Sequence, residues 1–333
     1  MKKAVKKREY SFDILRVVAM TMVIIIHVAN VYGRRFALIS HSSYLISLIF
    51  NTVSRVSVPI FLMISGALLL DREFNLKKYL NRIKKIVILI IICDVLYLVW
   101  EYSIFGNTYD KLYKLLYIPY RAHLWYLYTV VLLYAFQPLL RLFLNKCNKP
   151  MKIILLCIWV VIAFGGMYSK TLALNVFSQI GYMGYFVIGK YIYDYAKKHD
   201  LRKYNIPLIL IMIVLFGISV YLNYTKSIRL GRFYNLYFAY RTPFIMISSI
   251  AFFILVISNY RKDSISKPIM LLSDLSLGVY LFHGIILDIT RRLFSYSDIH
   301  SIMGIPIFSL DIFLCSIAFV YLLKKLPIIK KLI

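Results

Sequence analysis

Ten apolar runs, each long enough to cross a lipid bilayer, follow one another along this chain and constrain its fold more than any other feature. They lie near residues 12–31, 44–70, 86–104, 123–143, 151–167, 176–195, 205–223, 240–258, 269–292 and 303–323. A spanning helix needs about 20 mostly apolar residues. Composition agrees: 61% of the 333 residues are hydrophobic and 17% charged, with a mean hydropathy of +0.74. That leaves too little polar surface to coat a water-soluble globule. The basic prefix MKKAVKKRE hints at a signal peptide. The run behind it, however, lacks a small-residue cleavage site and carries Asp13, Arg16 and His27, which reads as a retained span. The expected fold is an all-α integral membrane protein, a single polytopic domain over 1–333 built as a bundle of about ten transmembrane helices.

The formal charge of +27, from 41 Lys and Arg against 14 Asp and Glu, raises the question of an anionic partner. Most of it resolves into topology. The N-terminus, alternate loops and the C-terminus hold 26 of the basic residues, the opposite loops 11, and Arg16, Arg55, Lys190 and Arg241 lie at or inside runs. Both termini are therefore expected to be cytoplasmic, and nucleic acid is not expected as a partner. Four cysteines exclude a disulfide scaffold, and Cys93, Cys157 and Cys315 sit in apolar runs as small hydrophobes. The longest outside loops, near 105–122 and 224–239, are short and Tyr-rich, so function must reside in the helices and their ends.

Ionisable groups within spans are functional candidates by default. Arg16 and His27 are eleven residues apart, three helical turns plus about 20°, and are separated by about 16 Å along the axis. Asp13 lies within about 40° of the same line. Pairing at the interface accounts for Asp13 and Arg16, as i,i+3 neighbours. It leaves His27 unexplained, in the outer half of the span, where an imidazole suits general-base work on a hydroxyl. Asp94 and Glu101, seven apart, share a face of the third run; with Arg55, Gln137, Lys190, Arg241, Asp274, Asp288 and Asp311 they read as inter-helix pairs around a hydrated interior. His123 and His283, in aromatic surroundings, read as structural histidines. His41, His199 and His300 read as loop residues, and no His/Cys/carboxylate spacing suggests a metal site. The basic stretch DREFNLKKYLNRIKKI suits either topology and anionic lipid or the phosphates of a nucleotide-bearing donor. No P-loop, G-x-G-x-x-G or G-x-S-x-G pattern occurs.

Several of these segments resemble one known family. SFDILRVVAMTMVIIIHVAN resembles the opening motif of acyltransferase family 3, the bacterial membrane O-acyltransferases: an Asp, then Arg, ten residues, and His, here Asp13, Arg16 and His27. RVSVPIFLMISGALLL resembles the family's Arg-x-x-Val-Pro pattern through Arg55, Val58, Pro59, Phe61, Ser65 and Gly66. Arg82 and Lys85 match its Arg-x-x-Arg/Lys element, and HLWYL (123–127) and VYLFH (279–283) resemble later landmarks. The resemblance runs from about residue 10 to about 325. Two features depart from it. Many members have a proline soon after the basic element, where this chain continues IKKIVILII. Many also carry an extracytoplasmic esterase-like domain, for which 333 residues leave no room, so the chain resembles the short stand-alone members.

The resemblance implies a multi-pass protein of the bacterial cell membrane that uses an acyl-CoA donor, most often acetyl-CoA. The acceptor would be a sugar hydroxyl of a surface polysaccharide, an antigen or a lipid-linked or peptidoglycan-precursor sugar. His27 would activate that hydroxyl or relay the acyl group. Arg16 would hold the CoA phosphate or polarise the thioester, with Asp13 orienting it. Arg82 and Lys85 at the cytoplasmic mouth, with Arg55, would bind the donor; no metal is expected. A flippase for lipid-linked sugars, or the membrane half of a multi-component acyl-transfer system, is the rival reading.

Overall fold

The computed structural model describes residues 8–106, 119–165, 172–260, 266–296 and 298–333. The basic residues Lys2, Lys3, Lys6, Lys7, Lys111, Lys114, Lys170, Arg261 and Lys262, which enter the orientation argument, lie outside the described residues. Among the described residues there is no strand. The helices are α1 (Tyr10–Gly33), α2 (His41–Ser54), α3 (Ser57–Leu69), α4 (Leu76–Phe105), α5 (Trp125–Lys146), α6 (Lys149–Gly165), α7 (Leu172–Lys198), α8 (Asn205–Leu230), α9 (Pro243–Asn259), α10 (Lys267–Leu293), α11 (Ser301–Leu323) and the short α12 (Pro327–Leu332). Among the described residues, seven helical segments are long and apolar enough to cross a membrane: α1, α2 with α3, α5, α8, α9, α10 and α11, some with a short flanking turn. The apolar runs near 86–104, 151–167 and 176–195 fall on α4, α6 and α7. Large side chains on α8 such as Ile206, Leu210, Ile213 and Val214 are exposed, as lipid-facing residues are.

α1 is the central element. Leu15, Ala19, Met20, Ile24, Val28, Ala29 and Tyr32, distributed around it, are all fully buried. It packs against α2, α3, α9, α10 and α11 and separates two apolar cores, one built with α3, α7 and α9, the other with α4, α10 and α11. A helix apolar on every side except one polar stripe belongs at the centre of a bundle.

The run at 44–70 reads as one span but is two helices, and Pro59 is the reason. Proline has no N–H for the carbonyl four residues back, and its ring clashes with that carbonyl. That carbonyl belongs to Arg55, and the α-helix is interrupted at Arg55–Val56. α3 then runs against α7 at van der Waals distance: a Cβ on Gly66 would lie 1.7 Å from the Phe186 carbonyl oxygen, and one on Gly189 2.3 Å from the Met63 carbonyl oxygen. Small residues that let backbones touch are a standard means of helix association in lipid.

At the start of α1, Asp13 is fully buried and saturated with donors. It accepts from Arg8 (2.7 and 2.9 Å), Arg16 (3.0 Å) and the Ser273 hydroxyl (2.6 Å), while Arg8 also bonds Asp274 of α10 (2.8 Å). Hydrogen bonding to Asp13 and, after the opposing effect of burial, to Asp274 holds the Arg8 guanidinium above its ordinary value. The first turn of α1 is thereby riveted to α10.

Candidate active site

Three and a half turns beyond this cluster, α1 presents His27 to a cavity of about 300 Å³. The cavity is lined on its polar side by His27, Asn30, Arg34, Arg55, Arg121 and Asp288, and on its apolar side by Trp125, Tyr126, Tyr240 and Tyr280. Concave sites with aromatic walls and a few convergent polar groups are where ligands bind. His27 is half-buried and faces this space.

Two further histidines, expected from sequence to be structural, stand against it. The ring of His283, on α10, is centred 4.9 Å from that of His27; the ring of His123, in the 3-10 turn Ala122–Leu124 before α5, is 5.9 Å from His27 and 5.0 Å from His283. Both are buried, and Nε2 of each has no hydrogen-bond partner among the described residues. No group of three or more His, Cys, Asp or Glu among the described residues is arranged to hold a metal ion. Gly284 makes the approach possible, since a Cβ there would come within 3.0 Å of the His123 Cε1 and 2.7 Å of the Tyr97 hydroxyl.

The carboxylates of α4 position this assembly. Asp94 accepts the backbone N–H of Tyr120 (3.1 Å) and the hydroxyl of Tyr128 (2.8 Å). Glu101 accepts the Tyr120 hydroxyl (2.8 Å) and pairs with Arg121 (3.4 Å), and Arg121 also pairs closely with Asp288 of α10. Burial and the bond to Glu101 push the Tyr120 hydroxyl up to about 12. Tyr97 donates to the Leu281 carbonyl (2.8 Å) and Tyr280 to that of His123. The shared face of Asp94 and Glu101 thus clamps the segment carrying His123. Asp94→Ala would leave two donors unpaired beside the cavity. It is expected to lower stability by about 1.5–3 kcal/mol, the scale of a lost charged hydrogen bond, and thermal unfolding in detergent measures it.

Arg55 stands at the α2–α3 break with its guanidinium 4.6 Å from the Phe238 ring centre and 5.2 Å from that of Tyr240. It donates to Asn51 (2.9 Å), which donates to Asn30 (2.8 Å), one turn past His27. Arg55 therefore shares a cavity with His27 and not with Arg82 and Lys85, alongside which the sequence reading had grouped it. Those two lie in the first turns of α4, outside the lining of this cavity. Arg16 pairs with Asp13 at the far end of the α1 stripe, and Arg16, Arg72 and Arg82 all lie within electrostatic reach of Tyr134. Tyr126 and Tyr134 both lie near Ser65 of α3, and Tyr126 also lines the histidine cavity. Arg16, Arg72 and Arg82 thus gather around Tyr134, and the histidines around the cavity that Tyr126 lines. The sequence reading missed that His123 and His283 join His27; their only signal was their place in HLWYL and VYLFH.

Compared with models of protein families, the chain matches the one described as an acyltransferase domain, over residues 9–324. No curated protein and no solved structure matches it.

Proposed function

The chain belongs to acyltransferase family 3 and is a multi-pass membrane acyltransferase, and from that premise we propose that it moves an acyl group, acetyl by preference, from acyl-CoA to a hydroxyl of a cell-surface polysaccharide or lipid-linked sugar of the bacterial envelope. The observation that carries the proposal is His27, the imidazole of the family-like motif, facing a cavity with aromatic walls.

In this reading both termini are cytoplasmic, and the donor enters at the basic end, where Arg82 and Lys85 bind the CoA phosphates and Arg16, oriented by Asp13, holds the pantetheine-proximal end of the donor. The acceptor lies in the histidine cavity, its ring against Trp125 or Tyr126. His27 accepts the hydroxyl proton as the oxygen attacks the thioester carbonyl; the carbon–sulfur bond breaks, and the proton passes to the departing thiolate, giving ester and free CoA. Arg55 faces the same cavity and would meet the carbonyl oxygen as it gains charge.

Purified protein in nanodiscs, given radiolabelled acetyl-CoA and polyprenyl-linked oligosaccharides, is expected to transfer label to the sugar. Translocation of the sugar across a bilayer without label transfer would replace this reading with a flippase. Transfer that appears only after a second protein is added would make the chain the membrane half of a larger system.

A further inference from the structure

The hydrogen-bonding capacity of the three clustered imidazoles is unbalanced. In His283, Nδ1 lies 2.7 Å from the Tyr280 carbonyl and 3.1 Å from that of Val279. Carbonyls only accept, so Nδ1 carries the proton and Nε2 is a bare lone pair. In His123, Nε2 is likewise unpartnered among the described residues, and the ring lies near the Leu281 carbonyl. The nearby hydroxyls of Tyr97 and Tyr280 are committed to carbonyls. The ring N–H of His27 has no acceptor among the described residues. A buried lone pair and a neighbouring N–H without an acceptor, on rings 4.9 Å apart, are complementary groups.

We propose that His283 is a positioning residue for His27: its Nε2 lone pair accepts the His27 N–H once the acceptor sugar fills the cavity, fixing the tautomer that turns the other His27 nitrogen, lone pair outward, toward the hydroxyl. The backbone carbonyls of Val279 and Tyr280 act one step further out, holding His283 so that it can only accept. When His27 takes the hydroxyl proton, the resulting imidazolium keeps one N–H on His283 while the other returns the new proton to the thiolate. His283 itself neither gains nor loses a proton. This inference rests on the assignment of His27 as base.

The test is a set of variants in the radiolabelled acetyl-CoA assay. His283→Leu, which removes the acceptor and keeps the volume, is expected to lower kcat about 100-fold with KM for acetyl-CoA within about twofold. His283→Gln, whose side-chain carbonyl can still accept, is expected to recover kcat to within about tenfold of the parent. In nitrogen-15 spectra of histidine-labelled protein bound to acceptor, His27 should show one neutral tautomer in the parent and a mixture in His283→Leu. A His283→Leu kcat within threefold of the parent overturns the proposal, as does a His283→Gln no better than His283→Leu. If His283→Leu does not insert, the parent spectrum decides alone, since mixed tautomers at His27 overturn the proposal and one tautomer supports it. His27→Ala in the same assay separates the two readings: if it stays active, the base assignment fails, and if it is inactive while His283→Leu is active, only the positioning role fails.

Discussion

Protein carrying His27→Ala is expected to insert normally, bind acetyl-CoA as the parent does, and transfer acyl groups about 10²- to 10⁴-fold more slowly, the range associated with losing a positioned general base. The expectation follows from where His27 stands. Its ring faces the cavity, whereas Asp13 and Arg16 on the same stripe are engaged with Arg8 and Ser273 about 16 to 21 Å away along the helix. The donor's phosphates and the reacting hydroxyl can then meet different ends of one helix. Removing the imidazole should therefore affect kcat and spare donor affinity; label transfer gives the first and calorimetric titration with CoA the second. Undiminished transfer by His27→Ala would remove His27 from the chemistry.

The largest effect on stability is expected from a single methyl group. Gly66→Ala would put a carbon 1.7 Å from the Phe186 carbonyl oxygen and 2.5 Å from its carbon. Both are backbone atoms, so no side chain can swing aside; α3 and α7 would have to separate. Gly189 meets the Met63 backbone in the same way from the other helix, so the two backbones touch at two points of the seam. Overpacking costs about 1–3 kcal/mol where side chains can adjust, and here the cost should be at the upper end of that range or beyond. The fraction of monodisperse protein and the unfolding midpoint in detergent measure it. Gly217→Ala, at a helical position with nothing within 4 Å of the added carbon, is the internal control. Relief of glycine's backbone entropy there should stabilise by about 0.5–1 kcal/mol.

Local physics made the helices legible. Apolar runs of bilayer length became helices, and the i,i+3 spacing of Asp13 and Arg16 became an ion pair at 3.0 Å. The break at Arg55 was equally local, written in Pro59, though a hydropathy pattern that counts only apolar residues passes over it. The histidine assembly was legible only in part. The stripe on α1 singled out His27, but its companions come from the turn before α5 and from α10, and helical periodicity carries no information about which distant segments meet. Asp94 and Glu101 could be seen to share a face, yet what they hold, Tyr120 and Arg121, is a connection outside any periodic pattern. Arg55 was read with Arg82 and Lys85 because all three are basic; charge alone does not say at which depth of a bundle a guanidinium sits.

The anchorage of Tyr120 and Arg121 on Asp94, Glu101 and Asp288 also has a mechanical consequence. Tension arriving along the chain from the N-terminal side is borne by three carboxylates on two helices before it can reach His123. A pull applied at Tyr120 is therefore spent on these ion pairs and hydrogen bonds, and the imidazoles behind it keep their register.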